Sequence, residues 1–195
     1  MSLDPQLLGD VVDDIRKVGK ATGAEVAAEE ITNRIQARID AVVERAAAAD
    51  SHPSVLHVEW ADPLMCGGHW VPEMVEMAGG SNTFGDKDTG TLKLDWADVL
   101  ERQPEVIIMM PCGFDVKRSL QDVPILAGKD GWASLPAVRD NRVYVIDASA
   151  YTSRSGPRLV SGLEIMAEMI HPELFSGFIP ESGALRLFGE LAKAG

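Results

Sequence analysis

The sequence predicts an α/β fold, a three-layer α/β/α lobe with a mostly parallel sheet, preceded by a long helix. Three observations carry this expectation. Short apolar runs at VLHVEW (55–60), VIIMM (106–110) and VYVI (143–146) are bounded by Pro, Asp or Asn, as strands buried on both faces are. Helical patterns lie between them, at 70–78, 96–102 and more weakly 115–127. Strands that alternate with helices need crossover connections, and these give a parallel sheet covered on both sides. About four strands are expected.

The elements follow in order. Asp4 before Pro5 reads as a helix start, an acceptor at the cap followed by a ring whose missing N–H costs nothing there. Leu7, Leu8, Val11, Val12, Ile15 and Val18 then recur at helical spacing, and Gly23 closes a helix over 5–21. A second helix is striped by Ala27, Ile31, Ile35, Ile39, Val42 and Val43 and fades in AAAADSHP (46–53). The last strong helix opens at SGPR (155–158), with Pro157 in its first turn, and runs through Leu159, Leu163, Met166 and Ile170. Three segments result: 1–23, a leading helix; 24–175, the lobe; and 176–195, a tail with a short helix.

Charge and composition narrow the function. A net charge of −12 argues against nucleic acid and against an anionic membrane surface, both of which need a Lys/Arg footprint. Hydrophobic residues at 46% and charged ones at 25% supply a core for one domain. No apolar run approaches the roughly 20 residues of a spanning helix, and MSLDPQLLGDVVDD lacks the basic and apolar regions of a signal peptide. Two cysteines are too few to set a redox compartment.

In open α/β sheets, ligands sit outside the carboxyl ends of the strands. The loop 61–69 (ADPLMCGGH), PCGF (111–114) and DASAYTSRSGPR (147–158) all lie at such ends. They direct Met65, Cys66, His69, Trp70, Cys112, Phe114, Tyr151, Arg154 and Arg158 to one surface. That set is aromatic and sulfur-rich, which suits a large, flat, partly apolar ligand. Gly67 and Gly68 let the main chain come close to a ligand and turn into a helix whose first N–H groups face the bound molecule. Trp70 has two readings, lining the cleft or packing under the loop.

Other chemistries were weighed on the same residues. Cys66, His69, Glu73 and Cys112 are ligand types that suit zinc, but no C-x-x-C or H-E-x-x-H spacing is present, so no metal site is assigned. A Cys66–Cys112 disulfide stays open, because both residues follow strands that are potential neighbours. A small thiol-dependent hydrolase would use Cys66 as nucleophile and His69 as base. Those residues stand three apart at a loop–helix junction with no orienting third group, so no catalytic residue is assigned. Met74, Met77, Met166 and Met169 read as core.

The stretches DPLMCGGHWVPEMVEMAGGSNTF, PEVIIMMPCGFD and YTSRSGPRLVSGLEIMAEMIHPELF resemble, from Leu3 to Phe175 and in order, the iron-siderophore/cobalamin substrate-binding proteins of ABC importers, and among them the cobalamin-type branch. The resemblance implies the C-terminal lobe of a periplasmic-binding-protein fold, with helix 5–21 as the rigid connector between two lobes and the ligand clamped between them. The chain is then expected to be one lobe of a longer extracytoplasmic protein, with the other lobe and its signal peptide outside it. The implied ligand is cobalamin or another corrinoid, alternatively a ferric siderophore or haem, with no resident cofactor. By the same resemblance Leu64 and Met65 line the cleft and Tyr151 flanks a corrin-like ring; the loop positions add Cys66, His69, Trp70, Phe114 and Arg154 to the binding set. The family's permease-docking carboxylate falls on Ala97, which leaves Asp98, with Asp95, to meet the permease. A connector helix without its second lobe would expose apolar surface, so a dimer through Leu7 and Val11 is expected.

Overall fold

The structure, a computed structural model, describes residues 2–85 and 89–189. It opens with a helical pair, α1 (Leu8–Thr22) and α2 (Glu25–Ala46). Gly23, at φ 72°, closes α1 in the left-handed conformation that its lack of a Cβ permits. The start of α1 lies later than the Asp4–Pro5 signal suggests. The Asp10 carboxylate accepts the main-chain N–H of Gln6 and Leu7 at 3.0 and 2.9 Å, and Glu73 accepts that of Leu8 at 2.9 Å. These two carboxylates satisfy the orphan donors of the first turn, so the cap forms where they reach.

Beyond the pair come β1 (Ser54–Ala61), β2 (Leu64–Cys66), α3 (Trp70–Met77), β3 (Ser81–Asn82), β4 (Leu92–Lys93), α4 (Trp96–Arg102) and β5 (Val106–Met109). The chain continues through α5 (Val116–Ser119), α6 (Val123–Ala127), α7 (Pro136–Arg139), β6 (Val143–Ile146), α8 (Ala148–Tyr151), α9 (Leu159–Ile170) and β7 (Ala184–Leu187). The sheet order is β4-β2-β1-β5-β6-β7, with β3 beside the start of β1. Strands β3, β1, β5 and β6 run parallel, while β2, β4 and β7 are antiparallel margins.

Side chains alternate across the central strands, as a two-fold strand repeat requires. Val55, Val106, Ile108, Tyr144 and Ile146 join one core with α1, α2, α3 and α9. Leu56, Val58, Ile107, Met109, Val143 and Val145 join a second core with α4, α6 and α7. Each fully buried side chain of this size contributes about 1.5–3 kcal/mol, so the central strands anchor both layers.

Four expectations change. First, α1 is covered by its own lobe over its first turns: Leu8, Val11 and Val12 are buried in the first core and Leu7 is half-buried, so Leu7 and Val11 offer no open dimer seam, while Val18 is exposed. Second, the inward stripe of α2 is Ala28, Thr32, Ile35, Ile39 and Val42, while Ala27 and Val43 face outward. Gly19 of α1 packs so closely on Ala28 that a Cβ at Gly19 would collide with the Ala28 methyl, and Ala28 rather than Ala27 faces inward there. Third, the stretch 61–69 is in large part a hairpin, because Asp62 and Pro63 form a tight turn that returns the chain as β2 along β1. Fourth, within 176–189 the chain forms strand β7 on the edge of β6 where a short helix was expected; residues 190–195 lie outside the described residues.

Candidate ligand cleft

The carboxyl ends of β1, β5 and β6 meet the start of α3 around a cavity of about 240 Å³, lined by Glu59, His69, Trp70, Met110, Cys112 and Thr152 among others. The pairing of β1 with β2 slips register between Val58 and Trp60. Such a bulge re-aims a side chain, and Glu59 sits within it, its carboxylate accepting the Thr91 hydroxyl at 2.6 Å. On the far wall the Trp70 indole N–H donates to the Thr152 carbonyl at 2.8 Å, which locks the ring to the loop after β6. Thr152 is buried, and its hydroxyl has no partner among the described residues.

His57 sits under the glycine turn. It is fully buried; its Nδ1 accepts the Gly67 N–H at 3.1 Å and its Nε2 donates to the Asn82 side-chain oxygen Oδ1 at 3.0 Å. Burial pushes its pKa below the ordinary histidine value, and the hydrogen bond to Asn82 opposes that only in part. The ring is therefore neutral and fixes the path of Gly67. Gly68 is pressed so closely on the main chain of Thr89 and Gly90 that a Cβ would collide with both.

His69 follows in a strained left-handed conformation, φ 53° and ψ −122°. Backbone outliers of this kind persist only where their surroundings over-determine them. Here the His69 N–H donates to the Thr89 carbonyl at 2.7 Å, and its ring Nδ1 meets the Gln6 side-chain oxygen at 2.9 Å. The Gln6 amide nitrogen donates to the Asp4 carbonyl and carboxylate at 3.3 and 3.2 Å, which orients the amide with its oxygen toward His69. Nδ1 therefore carries the proton, and Nε2, which has no partner among the described residues, keeps its lone pair. The His69 and Trp70 rings lie 5.8 Å apart.

The sequence-derived set divides. His69, Trp70 and Cys112 line the cavity. Leu64 and Cys66 do not: both are strand residues buried in the second core, because the hairpin turns them under the sheet. Met65 is half-buried on β2 opposite Trp60. Phe114 packs edge-on against Trp60 at 5.6 Å, with the Arg118 guanidinium 4.2 Å from its centre, beside the cavity rather than in its wall. Tyr151 is half-buried against Gly162 and Gly183, and the chain presents Thr152 and Ser153 to the cavity instead. Arg154 is exposed and makes no hydrogen bond or ion pair with a described residue.

Other readings are corrected by the same geometry. The expected free N–H groups at the start of α3 are partly taken, His69 by Thr89 and Val71 by Gly68. Cys66 and Cys112 are not joined by a disulfide, one lying in the core and the other exposed at the cavity. A buried Cys66 thiol cannot serve His69 as a nucleophile. Glu73 is engaged by α1, and among the described residues no three His, Cys, Asp or Glu side chains gather to hold a metal. Asp95 stands exposed at the start of α4, and Asp98 lies half-buried in its first turn. Glu59, Met110 and Thr152 escaped sequence reasoning; a lone carboxylate inside VLHVEW was the signal for the first.

Comparison with known proteins accords with this lobe. The family model described as "Periplasmic binding protein" matches residues 1–150. The uncharacterized ABC transporter substrate-binding lipoprotein YvrC of Bacillus subtilis is 29% identical over 177 residues, covering 88% of this chain and 53% of that protein. The high-affinity heme uptake system protein IsdE of Staphylococcus aureus is 24% identical over 138 residues, covering 68% of this chain and 47% of that protein. The structure of IsdE complexed with heme superimposes at a TM-score of 0.74, with 20% identity, over 87% of this chain and 67% of that one. The vitamin B12 binding protein BtuF of Vibrio cholerae does so at 0.70, with 18% identity, over 88% and 64%. The chain thus spans about half the length of the curated relatives it matches.

Proposed function

Because the chain belongs to the periplasmic binding protein family, we propose that it serves as a substrate-binding component of an ABC importer and takes a metal-bearing tetrapyrrole, a cobalamin-like corrinoid or haem. The observation that carries this reading is His69. A histidine in the cavity wall, held in a strained backbone with Nδ1 tied to Gln6 and Nε2 without a partner among the described residues, is arranged as a ligand to an axial metal position. Trp70 offers a flat face beside it, and Cys112 and Met110 add polarizable walls. A cavity of about 240 Å³ holds one face or edge of such a macrocycle, as half of a two-lobed cleft would.

Charge favours a corrinoid, whose periphery carries neutral amides, over an anionic ferric siderophore and over the propionate edge of haem. Among the cavity's described lining residues the charged group is the Glu59 carboxylate, which repels anions and accepts N–H donors such as peripheral amides. IsdE and BtuF, which share the fold, are named for haem and vitamin B12. Delivery to a permease would use the exposed carboxylate of Asp95 with the half-buried Asp98 beside it, and the protein would work outside the cytoplasmic membrane. Haemin and aquocobalamin titrated in parallel with a ferric siderophore test the reading. Saturable spectral shifts with either tetrapyrrole support it; saturation by the siderophore alone overturns it.

A further inference from the structure

At the opposite pole of the sheet, a groove of about 340 Å³ is lined by Arg142, Arg186, Tyr144, His171, Glu173 and Ser51 among others. It lies where the amino end of β6 meets the carboxyl end of α9, away from the strand ends that form the cleft. Arg186 is immobilised there. Its guanidinium stacks between the Tyr144 and Phe188 rings, 5.8 and 5.1 Å from their centres. Its Nε and Nη2 donate to the carbonyls of Asn141 and Asp140. Arg142, immediately before β6, donates one N–H to the Ile170 carbonyl at 2.6 Å, capping α9.

An arginine carries five N–H donors and a full charge, and one or two carbonyl bonds leave both largely unanswered. Arg16, Lys17, Arg38 and Arg118 each pair with a carboxylate. Arg142 and Arg186 form no ion pair among the described residues. The groove's carboxylate, Glu173, is engaged by His171 Nδ1 at 2.8 Å. In a chain of net charge −12, two oriented guanidiniums share this groove with a single carboxylate, Glu173, which Arg142 also attracts, so positive charge exceeds negative there and the sign is locally inverted.

We propose that this groove is an anion-binding site, distinct from the cleft, that takes a phosphate-type oxyanion between Arg142 and Arg186. Two planar guanidiniums, one from the residue before β6 and one from β7, match the several acceptor oxygens of a tetrahedral dianion better than a halide. The Tyr144 ring backs the site, and Ser51 adds a hydroxyl at its wall.

Inorganic phosphate titrated by calorimetry, against sodium chloride at matched ionic strength, tests the proposal on the full chain. Saturable phosphate binding is expected that chloride does not reproduce, with the half-saturating concentration raised at least about tenfold in Arg186→Gln and in Arg142→Gln. Glycerol phosphate in a second arm separates a phosphate-ester site from one closed around the free ion, and binding of either supports the proposal. Haemin and aquocobalamin titrations of the same variants should match those of the unmodified chain. Arg186→Lys, which keeps charge and loses the fork, checks the geometry if Arg186→Gln fails to fold, and is expected to bind more weakly than the unmodified chain. Phosphate binding equal in all variants, or reproduced by chloride, overturns the proposal.

Discussion

Replacing His57 with leucine should weaken the fold in a manner that depends on pH. The ring is fully buried and answers two groups, the Gly67 N–H at 3.1 Å and the Asn82 side-chain oxygen Oδ1 at 3.0 Å. Leucine of similar volume leaves both without that partner. Gly67 keeps a longer bond to the His57 carbonyl at 3.3 Å, so its loss is at the lower end. Orphaned buried groups cost about 1–3 kcal/mol each, which gives roughly 2–4 kcal/mol in total for His57→Leu. Burial holds the folded ring's pKa below the ordinary histidine value, so the unfolded chain takes up a proton first as pH falls. The unmodified protein therefore loses stability below about pH 6.5, by up to ~1.4 kcal/mol per pH unit until the folded ring also titrates. The variant lacks that term, so the gap between the two should be widest at neutral pH and shrink toward about pH 5. Urea unfolding followed by tryptophan fluorescence across this range measures it. A gap that stays constant with pH would refute a neutral buried His57.

Three further outcomes are expected. Gly68→Ala should destabilise by about 1–3 kcal/mol, since its methyl meets the main chain of Thr89 and Gly90 rather than a movable side chain, and thermal unfolding checks this. In native protein a thiol reagent should label Cys112 promptly and Cys66 only on unfolding, counted by mass spectrometry; equal rates would contradict the burial of β2. Gln6→Leu should leave folding nearly unchanged and weaken haemin binding by about 10–100-fold, because the His69 ring loses its tether; unchanged spectra and affinity would contradict a fixed tautomer.

The central strands were legible because Val and Ile runs buried on both faces look alike in any sequence: VIIMM and VYVI became β5 and β6 with little shift. The margins were not. Leu64, Met65 and Cys66 are too few to show alternation, and an Asp-Pro followed by Gly-Gly looks the same at the head of a loop as at a hairpin turn. The start of α1 was obscured because its capping carboxylates, Asp10 and Glu73, follow the helix start or lie far along the chain, where no local rule finds them. His69 and Trp70, placed by their position after a strand, line the cavity, whereas Tyr151 lies beside it, since the turn ending α8 brings Thr152 and Ser153 round to the wall. The tether from Gln6 to His69 spans sixty-three residues and exists only in the fold.

The central claim is that His69 Nε2 ligates the metal of a tetrapyrrole at the cavity. Haemin titrated into the unmodified chain and into His69→Ala, read by the Soret band and the visible bands of the bound iron, tests it most directly, with aquocobalamin as the parallel cobalt probe. A saturable shift to a nitrogen-ligated spectrum is expected for the unmodified chain with at least one of the two, and its loss in His69→Ala, with the band restored by added imidazole. The same spectrum and affinity in both proteins, or no shift with either tetrapyrrole, would contradict the claim.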